Sequence, residues 1–256
     1  MSAEKFAVAV AVAVFAGGAV GLILQRALHE RFTTGGPRDM IGAVVGLLTL
    51  LSALVLGLLI WTAYGVYSGQ NLAVQTLAAK VLQLDLALAD YGPDATPVRA
   101  QVRRNLAKTI DEIWGVNESD ADFVANNFAA AVQNLRSREK ALEGLSPSTD
   151  EQRRALAAAM STVESIGQSR LQMSFALSNP VCYPLILMVV GWATFLFCGY
   201  GLMSKGNAMS VVAGFVGAIA VSSAVYLILD LSDPYSGIFR ASSAPLEQVL
   251  AVMGKE

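Results

Sequence analysis

Charged side chains are scarce in this chain. They make up 15% of its 256 residues, whereas hydrophobic residues reach 54% and the mean hydropathy is +0.52. Ordinary soluble domains carry about 25% charged residues. This composition excludes an ordinary soluble domain and makes the bilayer part of the protein's solvent.

Histidine and cysteine are nearly absent as well. The single histidine, His29, excludes a metal site built from several histidines. The two cysteines, Cys182 and Cys198, lie in one apolar run, roughly four helical turns apart, so they cannot form an intramolecular disulfide. The formal net charge of -2 provides no basic excess for binding nucleic acid.

Long uncharged runs are what the sequence has in abundance. Four occur, at 6–24, 40–66, 182–203 and 208–229, and a helix needs roughly 20 residues to cross the hydrocarbon layer. A cleaved signal peptide is the alternative for the first run. That run is longer than the usual apolar region of about 7–15 residues, and no clear small-residue cleavage site follows it. We therefore predict four transmembrane helices.

The middle of the chain has a different composition, because residues 67–180 hold most of the charged side chains. Apolar residues recur there at three- and four-residue spacing, which predicts an amphipathic helix: Leu77, Val81, Leu84 and Leu88. Only glycine interrupts residues 64–70, so we expect the second span to pass straight into this helix. The helix is expected to end near Tyr91. No alternating pattern typical of β-strands appears.

Three further helices are predicted in the same segment. The second covers 97–114, and its polar side carries three arginines: Arg99, Arg103 and Arg104. The third runs from about 120 to 143. The fourth begins at a capping box formed by Ser148 and Glu151 and stops before Pro180, since proline disfavours helix in the preceding residue.

The predicted fold is an all-α membrane protein in which two transmembrane hairpins flank a helical insert. The hairpins occupy 1–66 and 181–230, the water-facing insert 67–180, and an interfacial tail 231–256. An even number of spans puts both termini and the insert on one side of the membrane. Basic residues near the span ends are almost evenly divided between the two sides, so the positive-inside rule barely decides the orientation.

Two pairs of glycines lie four residues apart in the first two spans. They are Gly17 with Gly21, and Gly42 with Gly46. Small residues at this spacing let helix backbones approach closely. We expect that approach within the first hairpin.

Short stretches along nearly the whole chain carry a family resemblance: LVLGLL at 54–59, YGP at 91–93, Trp114, SRL at 169–171, DLSDPYSGIFR at 230–240 and APL at 244–246. The most specific is DLSDPYSGIFR, which joins two carboxylates, a proline, an aromatic ring, a glycine and an arginine at the end of the fourth run. Together these stretches resemble the bacterial bestrophin-like family of membrane proteins. The chain departs from the family pattern at Ser232, where an acid is usual, and at Asp233, where a basic residue is usual.

The resemblance implies a function and an assembly. Bestrophins are pentameric anion channels that are gated by calcium and whose second span lines the pore. A multi-pass protein of the bacterial inner membrane is therefore implied. It would form a homo-oligomer, a pentamer by resemblance, with inorganic ions passing next to residues 40–66. In that arrangement the insert and both termini are cytoplasmic.

The second span contains few side chains suited to a pore wall. Counting helical steps puts Thr49, Ser52, Leu56 and Leu59 near one face, with the leucines as possible hydrophobic constrictions. Thr62 is a further polar side chain available to line a pore. The alternative is that serine and threonine simply hydrogen-bond the backbone or pack helices together.

The tail motif contains a candidate cation contact. Asp230 and Asp233 could meet a cation, with Pro234 and Gly237 shaping the turn that follows. Calcium takes six to eight oxygen ligands, so two acids fall short of a site without neighbours. The alternative is that these acids are simply solvated at the end of a helix. Calcium is the one cofactor that the motif could bind, and no other cofactor is expected.

Two arginines are further candidate functional residues. Arg240 either pairs with the acids of the tail motif or meets lipid phosphate. Arg170, late in the fourth insert helix, either attracts anions into a vestibule or belongs to a solvated face.

Two hypotheses from different classes follow. The first is a passive, homo-oligomeric ion channel; the second is a non-conducting scaffold or sensor whose insert binds a soluble partner. An enzyme is disfavoured, because no nucleophile has an evident base. A secondary transporter is disfavoured too, since the spans contain no charge and no broken helix with paired repeats.

Overall fold

The computed structural model describes residues 3–28, 35–114, 142, 144–177, 183–204, 206–235 and 237–253. The helices within them are α1 (Ala3–Ala27), α2 (Gly36–Tyr91), α3 (Thr96–Trp114), α4 (Asp150–Leu177), α5 (Tyr183–Met203), α6 (Ala208–Ser232) and α7 (Ala244–Val252). A short 3-10 turn, Pro93–Ala95, joins α2 to α3. Apart from Leu142, the predicted third helix of the insert lies outside the described residues, as do three single positions: His29, Cys182 and Lys205.

The all-α prediction is confirmed. The described ranges contain no strand, and four of their helices, α1, α2, α5 and α6, are long and apolar enough to cross a membrane. The second span passes without a break into the insert, as predicted, because α2 continues for 56 residues. It ends at Tyr91, where Gly92 follows with a φ of 108° that only glycine adopts easily.

The chain divides into two compact units. One, which we call the span unit, comprises Met1–Gly65 and Pro180–Ser232; the other, the insert unit, comprises Val66–Asn179 and Asp233–Glu256. The segment after the fourth span, expected as an interfacial tail, therefore belongs to the insert unit. Its helix α7 buries Leu246, Val249 and Met253 in the core of that unit.

In the span unit, α1 packs against both α5 and α6. A β-carbon at Gly17 would lie 2.6 Å from the carbonyl oxygen of Thr194, and one at Gly21 would collide with the carbonyl of Cys198. At Gly46, by contrast, no atom lies within 4 Å of the β-carbon position. The expectation of close approach within the first hairpin is wrong: α1 approaches α5, which belongs to the second hairpin. The spacing signals a close approach but does not name the partner helix.

The insert unit has an aliphatic core. The predicted stripe on α2 is confirmed, since Leu77, Val81, Leu84 and Leu88 are all buried there. Side chains from α3 and α4 complete the core: Val102, Leu106, Ala159, Val163 and Ile166.

A buried ion pair joins α2 to α3 inside this core. Asp85 is 4% exposed, and its carboxylate accepts two hydrogen bonds from Arg99, at 2.9 and 2.8 Å. Arg99 was expected on the polar side of its helix. It turns inward because a carboxylate on α2 needs a bidentate partner when water is removed.

The start of α4 differs from the prediction by one residue. Thr149 caps the helix, since its Oγ1 accepts a hydrogen bond from the amide of Gln152 at 3.2 Å. In return the side chain of Gln152 accepts a hydrogen bond from the amide of Ser148 at 2.8 Å. The capping box predicted for Ser148 and Glu151 is therefore wrong in register, because Thr149 and Gln152 satisfy the same spacing rule.

Candidate functional site

The span part of α2 has one buried stripe and one open face. Val45, Ser52, Leu59 and Ala63 are each at most 7% exposed, and their spacing puts them on one side of the helix. This side turns towards α5, where Val45 contacts Gly199. The opposite side carries large apolar side chains that are exposed, and we call these the open face: Leu47, Leu50, Leu54, Leu58 and Trp61.

Four of the five predicted pore-lining residues lie on or beside the buried stripe of α2, and Thr62 does not. Ser52 and Leu59 lie in the buried stripe, Thr49 and Leu56 are half-buried beside it, and Thr62 is exposed. Helical counting places these residues correctly around the axis of α2. Which side of α2 is buried depends on the packing of the folded chain. The role of these residues in a pore stays a prediction.

Both threonines bond to their own helix. Thr49 donates from Oγ1 to the carbonyl of Val45 at 2.8 Å, and Thr62 donates to the carbonyl of Leu59 at 2.9 Å. The hydroxyl of Thr49 also lies 3.3 Å from that of Tyr200 on α5. Such bonds satisfy a hydroxyl within a membrane span without any pore.

The two carboxylates of the tail motif differ in their surroundings. Asp230 lies in the last turn of α6 in the span unit, is 4% exposed, and accepts a hydrogen bond from the hydroxyl of Tyr226 at 3.3 Å. Asp233 belongs to the insert unit and is exposed. Among the residues that the structure describes, no group of three histidine, cysteine, aspartate or glutamate side chains is placed to hold a metal ion. Calcium binding at this motif stays a prediction.

The rest of the tail motif packs within the insert unit, and we call its contacts with Gln70 and Trp114 the clamp. The carbonyl of the buried Pro234 accepts a hydrogen bond from the amide of Ala241 at 2.7 Å, which closes the turn. Gly237, inside this turn, has a φ of 79°, a conformation that favours glycine. The carbonyl of Ala241 in turn accepts a hydrogen bond from the indole of Trp114 at 2.7 Å.

Tyr235 is the centre of this clamp. Its hydroxyl donates to the side-chain oxygen of Gln70 at 2.9 Å, and the amide nitrogen of Gln70 donates to the carbonyl of Met173 at 3.3 Å. The ring of Tyr235 packs edge-on against Trp114, with 5.8 Å between ring centroids. Burial raises the pKa of the Tyr235 phenol above its usual range, so the phenol is a neutral donor throughout the physiological pH range.

Sequence reasoning missed the clamp. It singled out the charged residues of the motif, whereas the contacts come from Tyr235, Gln70 and Trp114. A weak signal was present in Gln70, because an amide side chain can both donate and accept, which suits a buried helix position that must reach two partners.

The two candidate arginines lie in the insert unit. Arg240 is exposed at the end of the tail turn. Arg170 on α4 is half-buried and donates from Nη2 to the hydroxyl of Thr109 on α3 at 3.2 Å. Arg170 therefore has a packing role between two helices of the insert, and a vestibule role for it stays a prediction.

Comparisons with known proteins agree with this architecture. The family model of the Bestrophin-like domain matches residues 10–246. Among solved structures, the fold is similar to that of a point mutant of a bacterial bestrophin homologue from Klebsiella pneumoniae, with a TM-score of 0.55 and 12% sequence identity. The match covers 97% of this chain and 99% of that one. No curated protein matches the sequence. Since the family model spans nearly the whole sequence, the chain belongs to the Bestrophin-like domain family.

Proposed function

We propose that this chain assembles into a homo-oligomeric, passive ion channel in the cell membrane, with the open face of α2 towards the axis. The proposal rests on how little of the second span is buried by the rest of the chain. Within its most apolar window 17% of residues are buried by the chain itself, against 28%, 33% and 22% in the other three spans. The second span therefore leaves the most surface for other copies of the chain to cover.

Family membership supports a conducting role, because bestrophins are ion channels whose second span lines the pore. A closed symmetric ring would bring one copy of α2 from each subunit to the axis. By resemblance the ring has five subunits. The insert units would then surround a vestibule on the cytoplasmic side.

The chemistry of the open face specifies the kind of pathway. Leu47, Leu50, Leu54 and Trp61 recur along one line of the helix, and each is more than half exposed. Rings of such side chains form a hydrophobic constriction that gates by excluding water. Ions would cross it partly dehydrated, and selectivity would arise at the polar mouths of the pathway.

The first test is flux from proteoliposomes that contain the purified oligomer. Chloride and potassium are compared on a background in which Cys182 and Cys198 are serine. Leu54→Cys is then treated with a bulky, charged thiol reagent that cannot cross membranes. We expect flux to fall about tenfold, since a bulky group attached at the constriction obstructs the pathway.

Two matched cysteine variants control for position. Ser52→Cys lies on the buried stripe of the same helix, and Leu187→Cys replaces an exposed leucine on α5. Both should retain their flux after the same treatment. If Ser52→Cys is blocked while Leu54→Cys is not, the buried stripe lines the pathway and the assigned face is wrong. If an intact oligomer conducts neither ion at any tested pH or calcium concentration, the protein is a scaffold or sensor instead.

A further inference from the structure

The span unit contains a cavity that its packing does not fill. The cavity has a volume of about 390 Å³ and lies between α1, α5 and α6, near the turn that joins α5 to α6. Small residues form much of its wall: Gly18, Ala19, Gly201, Ala213 and Gly214. Phe15, Leu22 and Phe197 make the remainder of the wall apolar.

Glycine is the direct cause of this space. At Gly214 no atom lies within 4 Å of the β-carbon position, and at Gly18 the nearest atom, on Phe197, is 3.8 Å away. Both glycines line the cavity, and a β-carbon at either position would meet no backbone collision. The same unit has glycines where backbones touch, as at Gly17, so the open space at Gly214 is a separate feature.

One end of the cavity is polar. The hydroxyls of Ser204 and Ser210 lie 2.6 Å apart, and Ser204 also accepts a hydrogen bond from the amide of Gly206 at 3.3 Å. The guanidinium of Arg26 lies beside this turn, 3.5 Å from the β-carbon position of Gly206. Because Arg26 follows the lining residue Leu22 by four positions, both lie on one face of α1.

A cavity with this distribution of groups matches an amphiphile. Its volume equals that of on the order of ten water molecules at about 30 Å³ each, but apolar walls give such waters few partners. Hydrocarbon fits the walls. Phosphate fits the cationic end, since arginine binds phosphate through charge-assisted hydrogen bonds. The end also lies where three apolar helices terminate, which is the depth of lipid headgroups.

We propose that this cavity holds one acyl chain of an anionic phospholipid whose phosphate contacts Arg26 and the hydroxyls of Ser204 and Ser210. The lipid fills the gap between the two hairpins and holds α6 against α1 at this end. Binding at the cavity does not depend on conduction through the protein.

The test is lipid retention by the full-length protein in detergent. Delipidated protein is mixed with phosphatidylglycerol or with phosphatidylcholine of the same acyl chains. Bound lipid is counted by native mass spectrometry, and thermal unfolding is followed in parallel. We expect about tenfold tighter retention of phosphatidylglycerol and a higher unfolding temperature in its presence. Inorganic phosphate alone should leave the unfolding temperature unchanged.

Three variants locate the site. Gly214→Leu fills the cavity and should abolish retention of both lipids, whereas Gly191→Leu, at another span glycine with no atom within 4 Å of its β-carbon position, should retain them. Arg26→Gln should bind both lipids equally. Equal lipid retention by Gly214→Leu and Gly191→Leu overturns the proposal. So does a Gly214→Leu variant that changes only subunit number, because another copy would then fill the cavity. An effect of inorganic phosphate as large as that of phosphatidylglycerol would reduce the site to a phosphate contact.

Discussion

Tyr235 lies in the sequence between α6 and α7, and its phenol donates a hydrogen bond to Gln70. Gln70 is 3% exposed, so its side chain has almost no access to water. The same glutamine donates onward to the carbonyl of Met173 on α4. One side chain of the tail therefore fixes the orientation of a buried amide that connects α2 to α4.

We expect Tyr235→Phe to lower the free energy of unfolding by about 1–3 kcal/mol. The phenyl ring keeps its contact with Trp114, but the side-chain oxygen of Gln70 loses its donor, and an unsatisfied buried acceptor costs about this amount. The measurement is denaturant unfolding of the detergent-solubilised protein. Tyr183→Phe is the control, since Tyr183 is 50% exposed. Equal stability of the two variants would show that the clamp contributes nothing.

The same phenol predicts a dependence of stability on pH. Burial raises the pKa of Tyr235 in the folded protein, whereas an unfolded tyrosine titrates near pH 10. The folded state therefore holds the proton more tightly. The stability that comes from this group is complete below about pH 10 and falls as pH rises towards the folded pKa. Wild-type protein should lose stability more steeply than Tyr235→Phe above pH 10, and parallel curves would contradict this.

Helices α1 and α5 pack through glycines, because at each of the closest points at least one of the two facing residues lacks a β-carbon. Gly21 faces the carbonyl of Cys198, and Gly201 faces the carbonyl of Gly18. Van der Waals contact and polar backbone groups drive association of helices in a membrane, where burial of apolar surface provides little gain. The contact between the two hairpins therefore depends on glycines, which leave room for the two backbones to touch.

We expect Gly21→Ala to destabilise the span unit by about 1–3 kcal/mol, the usual cost of overpacking. The added methyl group meets backbone atoms of α5, which cannot rotate away as a side chain could. Gly46→Ala on α2 is the matched control, because no atom lies within 4 Å of its β-carbon position. Thermal unfolding in detergent should drop for the first variant alone. If both variants unfold like wild type, the two backbones are further apart than described.

Four membrane-spanning helices with an insert between the second and third have a definite topology. If all four helices cross the membrane, we expect both hairpin turns on one side and the insert on the other. The orientation of the whole protein is a proposal, in which the insert is cytoplasmic.

Cysteine labelling in intact cells tests that orientation. On the cysteine-free background, Asn207→Cys marks the turn between α5 and α6, and Ser148→Cys marks the insert; both positions are exposed. An impermeant maleimide should label Asn207→Cys in intact cells and Ser148→Cys only after the membrane is permeabilised. The reverse result would invert the orientation, and labelling of both from outside would show that α5, the one span between these two positions, does not cross the membrane.

Much of the fold was predictable because its causes are local. Uncharged runs of sufficient length identify the four spans, since a charge in hydrocarbon is costly. The spacing of Leu77, Val81, Leu84 and Leu88 identifies the buried stripe of α2, because helical period alone brings them to one side. Gly92 and Pro93 mark the end of α2 for the same local reason. The sequence alone therefore determined the helical class, the number of spans and the insert.

The partner of each face was decided only in the tertiary structure. The spacing of Gly17 and Gly21 indicates that α1 approaches another helix closely, but only the packed helices show that this helix is α5. Ser52 and Leu54 are two residues apart, and only the packing of the folded chain makes the first buried and the second open. Tyr235 reaches Gln70 across more than half of the chain. Contacts between residues distant in sequence depend on how the helices dock, and helical period carries no information about docking partners.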